Sequence, residues 1–466
     1  MAQNFTPSAL ETKSDASSKL DEAKEYTDSV MAAIVIDDTL SESSTNAIQN
    51  KAVYNGINNK PGMKTNGMTY TDSNGNTYTC GNGEVFNSYN ENIILNGAGL
   101  PQDGNLASGN YSHAEGYGTV ASGMHSHAEG ICTIARGDYS HAEGSYAIAT
   151  GDGSHAEGYN PNTTGQYSHA EGSRTQAAKY AAHAEGYGSQ ATGIAAHAEG
   201  GGSLSDDNVL ENYPVASGDY SHAEGYGTTA SGIYSHAEGN STTASNDYSH
   251  AEGLSTTASG WVSHAEGWQT YANYMAAHAE GNKTMADADY SHAEGTFTQS
   301  TGISAHAEGN HTIASGEASH AEGYGSQATG LYAHAEGGGS AMADGSAGVE
   351  NYPVASGDYS HAEGCGTVAS GECSHAEGGL TNAEGDYSHA EGGDTTAEGK
   401  YSHAEGIYTT AVGPESHAEG ARTIAHGTAA HSEGWDTEAK GTASHAEGYY
   451  TIAKNYQHAS GKYNAE

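Results

Sequence analysis

From residue 106 onward one tetrad, His-[Ala/Ser]-Glu-Gly, returns 23 times in the 466-residue chain. Its histidines step by fourteen from His113 to His197, from His222 to His334, and from His361 to His445. A degenerate copy, His458-Ala-Ser-Gly461, follows one residue early. A fixed period over so long a stretch specifies a stacked repeat architecture rather than a globule. One coil serves as the type: Ser126-His-Ala-Glu-Gly-Ile-Cys-Thr-Ile-Ala-Arg-Gly-Asp-Tyr139. Gly130 and Gly137 punctuate two segments of four or five residues with period-two alternation. This predicts an all-β parallel β-roll or β-solenoid of about 24 coils, two strands per coil, rising about 4.8 Å per coil to a rod of about 115 Å.

Alternation sorts the faces. Ser126 and Ala128 share one side of the first strand, and Thr133 and Ala135 share one side of the second, so these small residues should line the space between the sheets. The Thr133 position is Thr in 17 coils, enough for a ladder of hydroxyls. Cys132, Ile134 and Arg136 vary from coil to coil and suit solvent. The opposite side of strand one carries the Tyr139, His141 and Glu143 positions, nearly fixed throughout. It is expected to be buried against partner chains, since so thin a roll has little core of its own. A symmetric oligomer follows, expected to be a homotrimer on the resemblance given below, with an interface ladder exemplified by His113, Glu115, His127, Glu129, His236, Glu238, His320, Glu322, His403, Glu405, His445 and Glu447.

Composition agrees. Only 35% of residues are hydrophobic, with 3 Phe and 3 Trp against 66 Gly and 32 Tyr, so stability must come from repeated small contacts and main-chain ladders. The net charge of −43 supplies no basic patch for phosphates and argues against a nucleic-acid partner. Cys80, Cys132, Cys365 and Cys373 have neither metal-ligand nor disulfide spacing, as expected of free thiols in a protein made in a reducing cytoplasm. The N-terminus has no secretory signal pattern, and no apolar run approaches the roughly 20 residues of a membrane helix, so no membrane insertion is expected.

Residues 1–65 read as an attachment region with short helices, one over Ser18–Ile34 with a partial apolar stripe of Leu20, Ala23, Val30 and Ile34, another beginning near Asn46. Residues 66–105 form a small β-rich connector, with a hairpin over Tyr70–Tyr78 about an Asn-Gly turn. The repeat shaft occupies 106–461, and 462–466 is a C-terminal remnant.

The coil resembles the left-handed parallel β-roll of YadA-like head domains in trimeric autotransporter adhesins, whose coils carry Ser-Val-Ala-Ile-Gly. Ser126-His-Ala-Glu-Gly130 matches it position for position, with His and Glu replacing two apolar residues. In that family those positions face the trimer centre. The Ser-His-Ala-Glu-Gly variant itself resembles phage and prophage tail-fibre proteins. Glu22-Ala-Lys-Glu-Tyr-Thr-Asp28 and the stretch Asp38–Lys51 resemble linkers near the N-termini of such fibres. The resemblance implies a virion or phage-tail-like particle, a tail or baseplate partner at the N-terminus, and a host cell-surface glycan or protein as target. It also implies a C-terminal intramolecular chaperone cut away near Glu466, since identical coils need an element to set their register.

No enzyme is expected, because paired His and Glu in 23 near-identical copies without a distinct cleft describe a scaffold. Each His has a carboxylate two residues away, so a ladder of His–Glu hydrogen bonds is expected, with no metal and no cofactor. Pairing that favours both charged forms would raise the His pKa, lower that of Glu, and place maximum stability in mildly acidic buffer. Gly-Gly-Gly-Ser at 200–203 and 337–340 lacks the Lys-Ser/Thr of a phosphate loop. It opens two insertions, near 203–214 and 340–353, that both close on Glu-Asn-Tyr-Pro-Val-Ala-Ser-Gly-Asp-Tyr, the mark of an internal duplication. Loops on a rigid shaft are where binding residues are usually carried, which nominates Asp206, Asp207, Glu211, Tyr213, Asp344, Glu350 and Tyr352. Among the aromatics that follow the tetrad, Trp268, Trp435 and Tyr449 are further candidates for stacking on a receptor sugar. Two functions remain, a receptor-binding fibre or a purely structural shaft. An inward Thr ladder disfavours ice binding.

Overall fold

The structure is a computed structural model that describes residues 68–71, 77–80, 85–87, 105–205, 207, 209–341 and 349–463. The expected helices over 18–34 and near Asn46 lie outside the described residues. Among the described residues the chain is all β, and no helix is long and apolar enough to cross a membrane.

From Leu106 to Ala459 the chain winds as a parallel β-solenoid of 24 coils. Each tetrad opens the first strand of a coil, as in His155–Tyr159, which pairs in register with His169–Ser173 so that His155 meets His169 and Glu157 meets Glu171. The second strand is shorter than expected. It has two residues, as in Ile134–Ala135. The cause lies in the turns. Cys132 and its equivalents adopt φ near +55° just before the Thr, which confines extended backbone to the two residues after it.

The inward side is as alternation requires. Ser126, Ala128, Thr133 and Ala135 are all at most 1% exposed, and the core is one continuous file of Ala, Ser and Thr. So small a core buries little apolar surface per coil, and the inter-coil ladders carry correspondingly more of the cohesion. Ser126 Oγ donates to the Gly123 carbonyl at 2.7 Å, and the same three-residue clasp recurs at Ser140, Ser235 and Ser360. Turn aspartates bind one coil to the next: Asp247 Oδ1 accepts from the Ile233 N–H at 2.8 Å, and Asp219 does the same for Ile194.

Gly130 explains the tetrad's invariant last residue. Its φ is +114°, and a Cβ there would stand 2.0 Å from the carbonyl oxygen of Gly144 in the next coil. No L side chain fits that stack.

Two expectations about faces are corrected. Tyr139 is not on the His/Glu side of the strand. It occupies the turn before Ser140 with φ +58° and is 62% exposed, because the strand begins only at His141. Ile134 is not a solvent position. It is 8% exposed and lies with Leu106, Val120 and Ile148 in a short apolar stripe on the outer side of the second sheet.

Met68–Thr71, Thr77–Cys80 and Val85–Asn87 form an antiparallel meander, with Tyr70 opposite Tyr78 as the hairpin reading requires. Val85–Asn87 then pairs antiparallel with Ser112–Ala114, extending the first sheet at its N-terminal edge.

Both insertions are antiparallel hairpins, Ser203–Leu204 with Leu210–Glu211 and Ser340–Ala341 with Val349–Glu350. They leave the ladder undisturbed: His197 pairs with His222 and His334 with His361 across the extra residues.

Candidate functional site

The tetrads build a continuous outer face along the first sheet. Because strands stack in register at the β spacing, every imidazole lies on the next: ring centroids of His155 and His169 are 4.8 Å apart with planes 2° from parallel. The stack runs from His113 to His458. It includes His127, His236, His320, His403 and His445, with spacings between 4.6 and 4.9 Å. The glutamates form a parallel file. At its C-terminal part Glu405, Glu419, Glu433 and Glu447 line a shallow groove of about 490 Å³ floored by Gly420, Gly434 and Gly448.

The expected hydrogen-bonded His–Glu ladder does not form as such. In fourteen coils, from His113–Glu115 to His403–Glu405, Nε2 lies 3.7–4.0 Å from the Glu oxygen of the same coil, beyond hydrogen-bond reach. Near the C-terminal end the pairing changes partner. His431, His445 and His458 approach the glutamate of the preceding coil, Glu419, Glu433 and Glu447, at 3.3–3.4 Å. Nε2 of His127, His236 and His320 is shielded from solvent and makes no hydrogen bond.

Within one chain, the resolved histidine shifts run against the charged form expected for pairing across or along the trimer interface. Burial, then the charge of the stacked neighbours His155 and His127, pushes His141 down to about 4, against the opposing pull of Glu129. Burial and the flanking His278 and His306 hold His292 at about 4 likewise. His222, His334 and His417 shift the same way from the same leading cause, burial. A single His–Glu pair would favour imidazolium. A stack of imidazoles under 5 Å apart cannot all be charged, and desolvation and mutual repulsion outweigh the carboxylates. Among the glutamates, hydrogen bonding with Glu433 and burial raise Glu419 to about 7, while Glu433 moves down, chiefly through that same bond.

Of the loop candidates, Asp207 and Glu211 are exposed on the first hairpin, and Tyr213 is half-buried at its base. That hairpin is fastened to the shaft: Asn212 Nδ2 donates to Tyr226 Oη at 3.0 Å and to Ser203 Oγ at 3.1 Å. Asp206 and Asp344 fall outside the described residues, Glu350 ends the second hairpin's return strand, and Tyr352 is half-buried beside it. Trp268 and Trp435 are 44% and 45% exposed. Lys283 Nζ stands 5.6 Å from the Trp268 ring, and Arg422 lies 5.9 Å from that of Trp435. Tyr449 packs edge-on against Tyr450 at 4.5 Å, so it is not an open platform.

Sequence reasoning missed an aromatic rail at the turn before the Ser. Tyr220, Tyr234 and Tyr248 stack at 4.9 and 5.3 Å, and Tyr387 stacks on Tyr401 at 5.1 Å. The signal was present, a Tyr recurring at one coil position, but it was assigned to the buried face. Stacked rings cover each other's faces and offer edges and hydroxyls outward, a poor surface for laying a sugar ring flat. Cys132, Cys365 and Cys373 are free thiols. No protein-family model and no curated protein matches the chain.

Proposed function

We propose that the chain is a non-enzymatic, homotrimeric fibre of the phage-tail type, which attaches its particle to a glycan or protein on a host cell surface. The observation that supports this most directly is the His/Glu face. It runs unbroken along the rod, lies outside the roll, and carries polar nitrogens shielded from solvent with no hydrogen-bond partner. Buried polar atoms need partners, and three such faces turned toward a common axis would supply them over the full length. The Ala/Ser/Thr core is too small to make one isolated roll robust, which favours the same assembly. A tail or baseplate protein would hold the N-terminal region in the virion.

Receptor contact is assigned to the hairpins at 203–211 and 340–350, since they break the shaft's uniformity without disturbing its register. The test is binding of the soluble particle to a glycan array and to host cells, with and without these hairpins. Loss of binding on their removal supports attachment through them. Unchanged binding, or none by either form, favours the second reading, a purely structural shaft, which the uniformity of the other coils supports. Native mass spectrometry that finds a single chain would remove the trimer.

A further inference from the structure

The histidine stack and the glutamate file bring nitrogen and oxygen donors together in a repeated triad. His141, Glu143 and His155 each present one donor atom, all within 4.8 Å of one another. The same holds for His155/Glu157/His169, His197/Glu199/His222, His278/Glu280/His292, His292/Glu294/His306 and nine more. We propose that this face binds borderline-soft transition dications, with Zn2+ as the type case, each held by two stacked histidines and the intervening glutamate.

Two features of the face lead to this. The first is the unmet capacity of the imidazoles. Nε2 of His141, His155, His278, His292 and His306 is shielded from solvent and makes no hydrogen bond, although a carboxylate oxygen stands 3.8–3.9 Å away. That gap is too long for a hydrogen bond and suits two ligands of one ion. Tetrahedral Zn–N and Zn–O bonds of about 2.0–2.2 Å put the donors of a shared ion about 3.3–3.6 Å apart. From a separation of up to 4.8 Å, the two imidazole nitrogens of a triad close by up to about 1.5 Å through ring rotations about χ1 and χ2.

The second is charge. The tetrad glutamates form a single-sign file on a chain of net charge −43, and nothing on the face offsets them if the histidines are neutral. A dication between coils offsets that file of like charge. The donor set also selects among ions: two nitrogens to one carboxylate suit Zn2+, Co2+ or Ni2+, whereas Ca2+ asks for six to eight oxygens. Each triad is contained in one chain, so the sites stand whether or not three chains assemble.

The experiment uses the full chain without an affinity tag, stripped with EDTA and exchanged into metal-free neutral buffer. Zn2+ is titrated calorimetrically, and bound metal is counted by mass spectrometry after desalting. Several ions per chain are expected, up to about one per two coils because neighbouring triads share a histidine. Zn2+ should also raise the melting temperature, Co2+ should show visible bands of N/O coordination, and equal Ca2+ should do neither. The double variant Glu280→Gln/Glu294→Gln removes the carboxylates of two triads that share His292 while leaving the stack intact, and should lower the count by one ion per chain. His292→Asn should lower it equally. Fewer than one Zn2+ per chain, equal uptake of Ca2+, or an unchanged count in both variants overturns the proposal. Sedimentation of the metal-free protein reads assembly separately. A monomer there removes the trimeric fibre and leaves the ion sites standing, whereas a trimer that ignores Zn2+ removes the ion sites alone.

Discussion

Gly253→Ala places one methyl group in the middle of the rod. Gly253 has φ +113°, a conformation L side chains rarely adopt, and a Cβ there would meet the Gly267 carbonyl oxygen at 2.1 Å. The backbone strain costs about 1–3 kcal/mol. Relief of the clash needs the next coil to retreat by about 1 Å, which disturbs the ladder between His250–Leu254 and His264–Trp268 and the adjoining Gln269 N–H bond to Leu254 at 2.9 Å. Two weakened hydrogen bonds add about 2 kcal/mol, giving about 3–5 kcal/mol per chain. In a solenoid this loss is local, because each coil touches only its neighbours. Amide hydrogen exchange read by mass spectrometry should show the segments around 250–269 exchanging about a hundred to several thousand times faster, with distant coils unchanged.

Gly260→Ala is the informative control. Geometry alone makes it look as harmful, since a Cβ would stand 1.7 Å from the Tyr274 carbonyl oxygen. Yet φ at this second glycine is outside the left-handed region, and equivalent positions carry Lys179, Asn246, Tyr274 and Ala288. The bonding shows how a side chain is accommodated. The Gly260 N–H reaches the Ala272 oxygen at 3.3 Å, whereas the Ala288 N–H has swung to Ser291 Oγ at 3.2 Å. The turn therefore gives up one long hydrogen bond, at a cost of about 1 kcal/mol or less. Equal acceleration in the two variants, or wild-type exchange in Gly253→Ala, would refute the distinction between a fixed and an adaptable glycine.

The pH dependence of stability, measured in chelator, follows from the lowered histidines. Their contribution is complete above the unfolded pKa of about 6.5 and is lost as pH falls toward the folded value of about 4 at His141 and His292, so the melting temperature should rise from mildly acidic to neutral buffer. The unscreened linkage would be about 3 kcal/mol per such histidine; side chains about a third exposed bring it nearer 1 kcal/mol. Glu419, raised to about 7, contributes in the opposite sense, losing stability as pH rises through that value, but raised carboxylates are fewer than lowered histidines. A melting maximum near pH 5.5 would contradict this. Asp247→Ala frees the Ile233 N–H to solvent and should cost about 0.5–1.5 kcal/mol in thermal melts, with Asp247→Asn costing less. Excision of the eleven residues that lengthen the coil after His197 should leave the melting temperature within about 2 °C, because His197 and His222 are already paired in register.

The fold was legible because the period fixes which residues meet. Once His155 must lie beside His169, the core positions, the invariant Gly130 equivalents and the neutrality of the insertions to register all follow. What escaped depends on where a strand ends. Alternation carried back through Tyr139 puts it on the His/Glu side, but a residue at φ +58° belongs to the turn, and the phase of the alternation is lost there. The Tyr rail therefore swings outward and stacks. The charge of the face escaped for a related reason. Spacing along the chain displays the pair His141 and Glu143, two residues apart, and suggests that each stabilises the other's charge. The fold adds neighbours fourteen residues away, and His127 and His155 crowd His141 from both sides. Repetition changes the electrostatics of the single coil: a pair that would favour charge alone becomes, when stacked, a column in which burial and neighbouring rings disfavour the charged form at His141 and His292. The stack sets nitrogen donors beside a file of carboxylates, and the chemistry of the face belongs to it rather than to any one tetrad.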